Sequence, residues 1–325
     1  MKKLIIIVFI SIFQIQNVFA CASCGCSLIS DWGIMGLSIE PGWNFDLRYD
    51  YINQNKLWSG TSSISKSAAQ QKLNSGNPIE VENYTKTQQT IATLDYTNGN
   101  QWGVSFITPY IKRTHSTNGT DGDGNYTSDK ASIGDARIVA RYFDFLEQKN
   151  LGIQLGLKLP TGQKNGLAKD GVTAIDPGLQ IGTGTTDLIV GVYYNNNISH
   201  EWGYFTQATF QKALDHSNMS PNSNGGTSYK PGNQYNANAG LIFDGFEKFR
   251  PSIQLNAKYL DKDTGAVADT YATGGKLVYL SPGIIFKIND NASIYGNVQI
   301  PIYQNVNGVQ LVPSEIISIG TKIIF

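Results

Sequence analysis

Cysteine is almost absent from this 325-residue chain: Cys21, Cys24 and Cys26 are its three, and none follows them. An odd, clustered set near one end cannot staple the body of the protein, which must hold itself together by hydrogen bonding and packing. Histidine is equally scarce. His115, His200 and His216 fall in expected loops or turns, away from any serine or carboxylate on a strand. A nucleophile–base pair is therefore not in view, and an enzyme is not expected. An excess of charge is missing too, with 25 basic residues against 25 acidic ones, which argues against nucleic acid as a partner. After residue 20 no segment approaches about twenty apolar residues, so insertion into a membrane through helices is excluded.

What is present begins with a leader. Lys2 and Lys3, the apolar stretch Leu4 to Phe13, and Val18-Phe19-Ala20 before Cys21 read as a secretory signal peptide over 1–20. From Trp43 onward the pattern becomes that of strands. Trp43, Phe45, Leu47, Tyr49 and Tyr51 alternate with Asn44, Asp46, Arg48 and Asp50, so one face is apolar and the other polar. The chain closes on the same alternation: Ile317, Ile319, Ile323 and Phe325 share one face, Ser318, Gly320 and Lys322 the other. A terminal aromatic on an amphipathic strand of an exported protein points to an all-β fold, a transmembrane antiparallel β-barrel whose lipid side is apolar and whose lumen is wet.

Further strands are predicted near 85–97, 101–113, 132–145, 150–160, 186–196, 201–213, 233–244, 250–260, 276–288, 292–302 and 313–325. With the first they make about twelve, an even number as single-chain bacterial barrels have. Short links, such as Asn98-Gly99-Asn100, alternate with long polar ones at 56–84, 114–131, 161–185, 214–232 and 261–275, and a shorter one near 303–312. That alternation places short turns and both termini in the periplasm and long loops outside. The organisation is thus 1–20 signal peptide, 21–41 an N-terminal segment serving as lumen plug or periplasmic anchor, and 42–325 the barrel.

Strand alternation also sorts the wall. Lipid-facing sets include Leu151, Ile153, Leu155 and Leu157, and Leu188, Val190, Val192 and Tyr194. The lumen receives Asp135, Arg137, Arg141, Lys158, Asp187, Gln254 and Lys258, the candidate pore-lining residues. Charges facing the bilayer centre cost a few kcal/mol, so the inward assignment is the cheaper one. These groups either form a constriction or brace a packed lumen as ion pairs.

Two short motifs carry other chemistry. Cys21-Ala22-Ser23-Cys24-Gly25-Cys26 can present thiolates to one soft centre, Cu(I), Zn(II) or an iron–sulfur cluster, but is short of a fourth ligand; the competing reading is lipidation at Cys21. No cofactor is otherwise expected. Asp121-Gly122-Asp123-Gly124-Asn125 resembles the start of a calcium loop but lacks its closing glutamate, and reads as an external loop.

Ile133-Gly134-Asp135-Ala136-Arg137, Leu157-Lys158-Leu159-Pro160-Thr161-Gly162 and Gly182-Thr183-Gly184-Thr185-Thr186-Asp187 resemble a bacterial outer-membrane family named for a phenol-degradation meta-pathway and often called transporters. The resemblance implies a barrel in the outer membrane serving uptake, with the phenol link being one of genomic neighbourhood. The glycine-rich third motif lacks the following helix of a dinucleotide site and reads as a loop re-entering the wall. The expected function is passive passage of a small solute, hydrophobic or aromatic. The alternative is an anchoring or redox and metal-partner barrel acting through the cysteines. Expected partners are outer-membrane lipid and lipopolysaccharide, the barrel-assembly machinery reading Phe325, and the solute.

Overall fold

The computed structural model describes residue 35 and residues 41–74, 80–119, 126–146, 149–219 and 226–325. Its elements in chain order are β1 (Gly42–Gly60), β2 (Ser62–Ser63), α1 (Lys66–Asn74), β3 (Glu80–Thr97), β4 (Trp102–Gly119), β5 (Tyr126–Ile133), β6 (Arg137–Tyr142), β7 (Leu151–Lys158), β8 (Asp187–Asn197), β9 (Trp202–Ala213), β10 (Ser217–Asn218), β11 (Ser228–Tyr229), β12 (Gln234–Phe243), β13 (Phe249–Leu260), β14 (Gly275–Lys287) and β15 (Ala292–Ile324). Residues 1–20, the cysteine motif and 121–125 lie outside the described residues.

Every wall strand pairs antiparallel with its neighbour, and β15 pairs with β1 to close the sheet into a barrel of eleven such elements. Closure leaves no unpaired edge in the wall, which is what lets strands cross a bilayer. The last element makes two passes. Its residues 293–306 pair with β14 and its residues 306–324 with β1, the chain reversing at Asn307-Gly308, where Gly308 takes a left-handed φ of 49°. Counted as crossings, the wall therefore has the twelve expected from the alternation.

The alternation is realised as read. Leu155 is 59% exposed and Ile153, Val192, Ile253 and Ile319 are exposed with it, whereas Gln154, Lys158, Asp187 and Asn256 are buried on the inner face. Aromatics gather at both ends of the apolar band. Trp43, Tyr96 and Trp102 form one chain of contacts (5.0 and 5.5 Å) beside the short turns, and Phe210, Tyr235 and Tyr259 another (4.9 and 5.4 Å) toward the long connections. Rings with an apolar body and a polar edge suit the two lipid–water interfaces.

The long connections depart from the sequence expectation. Ladder pairing of β3 with β4 runs up to Glu80 and Gly119, and β5 pairs with β4 through Tyr126, so much of the presumed loop at 114–131 and both ends of that at 56–84 are strands that rise past the lipid band. The short helix α1 stands among them, its Ala68 N–H capped by Ser65 Oγ at 3.1 Å. Its Ala69 is buried with Leu57, Val81, Val309 and Leu311. His115 is corrected by the same extension: it is not in a loop but on the inner face of β4, 1% exposed, with Nδ1 2.8 Å from Thr85 Oγ1. Polar, β-branched residues such as Thr85, Thr87, Thr114 and Thr117 continue a ladder as well as apolar ones do once lipid is left behind.

Toward the short-turn end the inner face turns apolar. Phe143, Tyr193, Phe205, Ile242, Ile285 and Tyr295, from six different strands or strand ends, form one buried cluster across the lumen, and Met35 is part of it.

Candidate functional site

One wall strand is interrupted. β5 and β6 both pair with β4, through residues 126–133 and 137–142, but Gly134-Asp135-Ala136 between them leaves the ladder. Thr161 repairs the break from across the barrel wall: its Oγ1 donates to Gly134 O at 2.8 Å and accepts from Ala136 N at 2.8 Å. A hydroxyl can do both at once, which satisfies two backbone groups that burial would otherwise leave costly.

Around this break the three glycine-rich motifs interlock. Asp135 Oδ1 accepts from Gly162 N at 3.0 Å, and its Oδ2 from Thr183 N at 3.0 Å and Thr183 Oγ1 at 2.9 Å. Lys158 Nζ lies 3.2 Å from Asp135 and 3.0 Å from Asp187, donating also to Thr183 and to Thr185 Oγ1. Asp187 takes further bonds from Thr185 Oγ1 (2.7 Å) and Gln211 Nε2 (2.6 Å). One buried ammonium shared by two carboxylates, each saturated with donors, is the arrangement that makes buried charge tolerable. Gly162 and Gly182 meet with no room for a side chain, since a Cβ on either would fall 2.6 Å from the other's backbone. The sequence placed these motifs on the chain; only the fold shows that they are one knot.

The knot anchors the 159–186 connection so that it turns into the lumen instead of outward. Arg113 Nη1 donates to Gly178 O (3.3 Å) and Gln180 O (2.9 Å), its Nε to Thr87 Oγ1. Gln180 then folds back on the connection, accepting from Gly166 N at 2.8 Å and donating to Ile175 O at 2.8 Å. Arg113 was not marked by the sequence, because a loop contact between residues 65 positions apart leaves no periodic trace, and Thr161 was marked only as part of a motif, without its role.

Beneath this connection lies a cavity of about 430 Å³ inside the barrel. Of the seven pore-lining candidates, Asp135, Arg137, Arg141, Lys158, Asp187 and Lys258 border it. Gln254 faces inward but is 1% exposed, held against Asn256. The connection contributes Pro177, Gly178, Gln180, Ile181 and Thr183 to the lining. The charged residues differ in how they are engaged. Arg141 pairs with Asp95 at 2.5 Å and Arg48 with Asp50 at 3.0 Å, bracing the wall, whereas Arg137 is exposed to the lumen. Among the described residues no group of three or more histidines, cysteines, aspartates or glutamates could hold a metal ion.

A closed antiparallel barrel with an apolar exterior, aromatic girdles and a polar lumen defines a transmembrane β-barrel of the outer-membrane type. The structure is similar to that of an outer membrane channel from Pseudomonas putida F1, at 13% identity and a TM-score of 0.66, with 89% of this chain and 97% of that one covered. It is also similar to the transport unit of the autotransporter AIDA-I from Escherichia coli, at 13% identity and a TM-score of 0.50, covering 88% and 90%. No family model and no curated protein matches the sequence.

Proposed function

We propose that this chain is an outer-membrane channel that passes a small solute through a lumen narrowed by its own 159–186 connection. The observation that carries the reading is the inward fold of that connection. A segment pinned by Arg113 and by the Asp135–Lys158–Asp187 knot leaves a solute-sized cavity below it. Small-molecule sites commonly enclose about 300–1,000 Å³ with a few convergent polar groups, and this one falls within that range. Its walls are mixed: Ile107, Pro109, Ile111, Val139, Ile181 and Ile189 offer an apolar strip to a hydrophobic or aromatic body, set among amides and charges. The exposed Phe325 is the group through which the assembly machinery would recognise the barrel, and lipopolysaccharide its neighbour outside.

Planar-bilayer recording of the purified protein tests the proposal. Discrete conductance steps are expected, larger once residues 163–181 are replaced by a short glycine–serine link. A barrel that folds yet carries no current in either form would overturn it.

A further inference from the structure

We infer that the lumen cavity is a binding site for the carboxylate of a small organic anion with an apolar body, and that Arg137 is the group that holds it. The inference rests on the channel reading for the route by which the ligand arrives, but on the geometry of the cavity for its chemistry.

Hydrogen-bonding capacity left over inside the cavity is what decides the sign. The carboxylates are spent. Asp135 serves three donors and Lys158; Asp187 serves Thr185, Gln211 and Lys158. Asp46 accepts the Tyr295 hydroxyl through both oxygens, at 3.0 and 2.9 Å. Arg113 is committed to the inward connection. Arg137, by contrast, makes no hydrogen bond or close ion-pair contact among the described residues: Asp187 and Asp135 act on it only as neighbouring charges, and its side chain faces inward and is exposed. What it is exposed to is the cavity it lines. Its five N–H donors form a planar fork matched to a carboxylate.

A second unpaired donor lines the same cavity. Gln154 is 8% exposed, lines the cavity, and its Nε2 has no hydrogen-bond partner. Both lie on the inner face but not side by side: Arg137 lies opposite Lys158 across β6–β7, whereas Gln154 lies opposite Arg141, four residues further along, which at ~3.3 Å per residue is about 13 Å away at the other end of the same cavity. Ile107 opposes Arg137 on the other side, across β4–β6. The Arg137 guanidinium, bordered by Ile107, Val139 and Ile189, suits a ligand with an anionic head and an apolar body laid along that strip, with the Gln154 amide at the strip's far end. A neutral hydrocarbon would leave both donors unpaired, and a cation would be repelled.

Benzoate and its uncharged analogue benzyl alcohol are the probes. Calorimetric titration of the refolded barrel is expected to show benzoate bound at least about tenfold more tightly than benzyl alcohol, a preference lost in Arg137→Gln, since a charge-assisted hydrogen bond is worth roughly that factor or more. Arg137→Lys, which keeps the charge without the fork, is expected to fall between. In bilayers under a KCl gradient, the zero-current potential should lie on the anion side and move toward zero in Arg137→Gln. Equal binding of the two probes, or an Arg137→Gln barrel indistinguishable from the parent in both measurements, overturns the inference. Benzoate binding without conductance would sink the channel and keep the site; conductance without benzoate binding or anion preference would do the reverse.

Discussion

Gly162 and Gly182 lie back to back across the mouth of the barrel, each occupying the space where the other's Cβ would stand. The contact joins the first residues after β7 to the last residues before β8, so it fixes where the whole 159–186 connection leaves and re-enters the wall. Gly182→Val is expected to push the two ends apart and release the connection from the lumen while the lipid-facing wall stays as it is. Single-channel recording checks this: conductance should rise and become noisier, with unchanged heat-modifiable mobility on gels. Conductance equal to the parent's would show that the connection does not narrow the path.

Removing the shared ammonium tests the knot itself. Lys158→Met leaves Asp135 and Asp187 buried without their cation, a change that costs about 3–5 kcal/mol when a buried pair is broken. The urea midpoint of unfolding in detergent should fall, and the further change Asp187→Asn should recover part of the loss by removing one of the stranded charges. A double variant no more stable than Lys158→Met would mean that the two carboxylates are not what Lys158 serves.

The wall makes a separate forecast. Leu155→Arg places a cation against lipid, at a cost of about 2–4 kcal/mol near the bilayer midplane, whereas Gln207→Arg adds one to the cavity lining. Folding yield into lipid vesicles should drop for the first and hold for the second. Gln254, although inward, is too tightly enclosed to serve as the tolerant control.

Outside the membrane, Asp263 gives a pH dependence with a definite sign. In the connection after β13 it accepts from Gly232 N and the Tyr229 hydroxyl, both at 2.8 Å, yet burial outweighs these bonds and pushes its carboxyl up to about 6. A carboxyl whose folded pKa is raised favours folding most when protonated. Its contribution is complete below about pH 4, the ordinary carboxylate range, and is lost as pH rises through about 6. Hydrogen exchange in residues 226–233 and 261–274 should therefore quicken between pH 4 and pH 7, once corrected for the intrinsic rate, and Asp263→Asn should flatten the trend.

The parts of this architecture that obey a period were legible, and the parts that obey a contact were not. Leu151 to Lys158 declares both faces in eight residues because side chains alternate whatever else the fold does. Thr161, Arg113 and Gln180 carry no such mark: each acts through a partner many residues away, and threonine or glutamine in a polar stretch looks like solvated loop. His115 was misplaced for a related reason. Above the lipid band a strand needs no apolar face, so its polar outer half reads as a loop until the β3–β4 ladder is seen to continue through it. Asp135, Lys158 and Asp187 were visible as inward charges, but that one cation serves both acids is a fact of the third dimension.

The interrupted strand also bears on the order in which the barrel is made. The Gly134–Ala136 break, Thr161, Lys158 and Asp187 all belong to one stretch of chain, residues 134–187, so the loop that must close to form the knot is short. The seam between β1 and β15 instead joins residues 42–60 to 306–324, almost the full length of the chain apart. Closing the longer loop forfeits more chain entropy before any bond repays it, so local contacts come first. We expect pulse-labelled amides of β6 to β8 to be protected early in refolding and those of β1 last, making the knot a nucleus around which the cylinder is wound and the seam its final stitch.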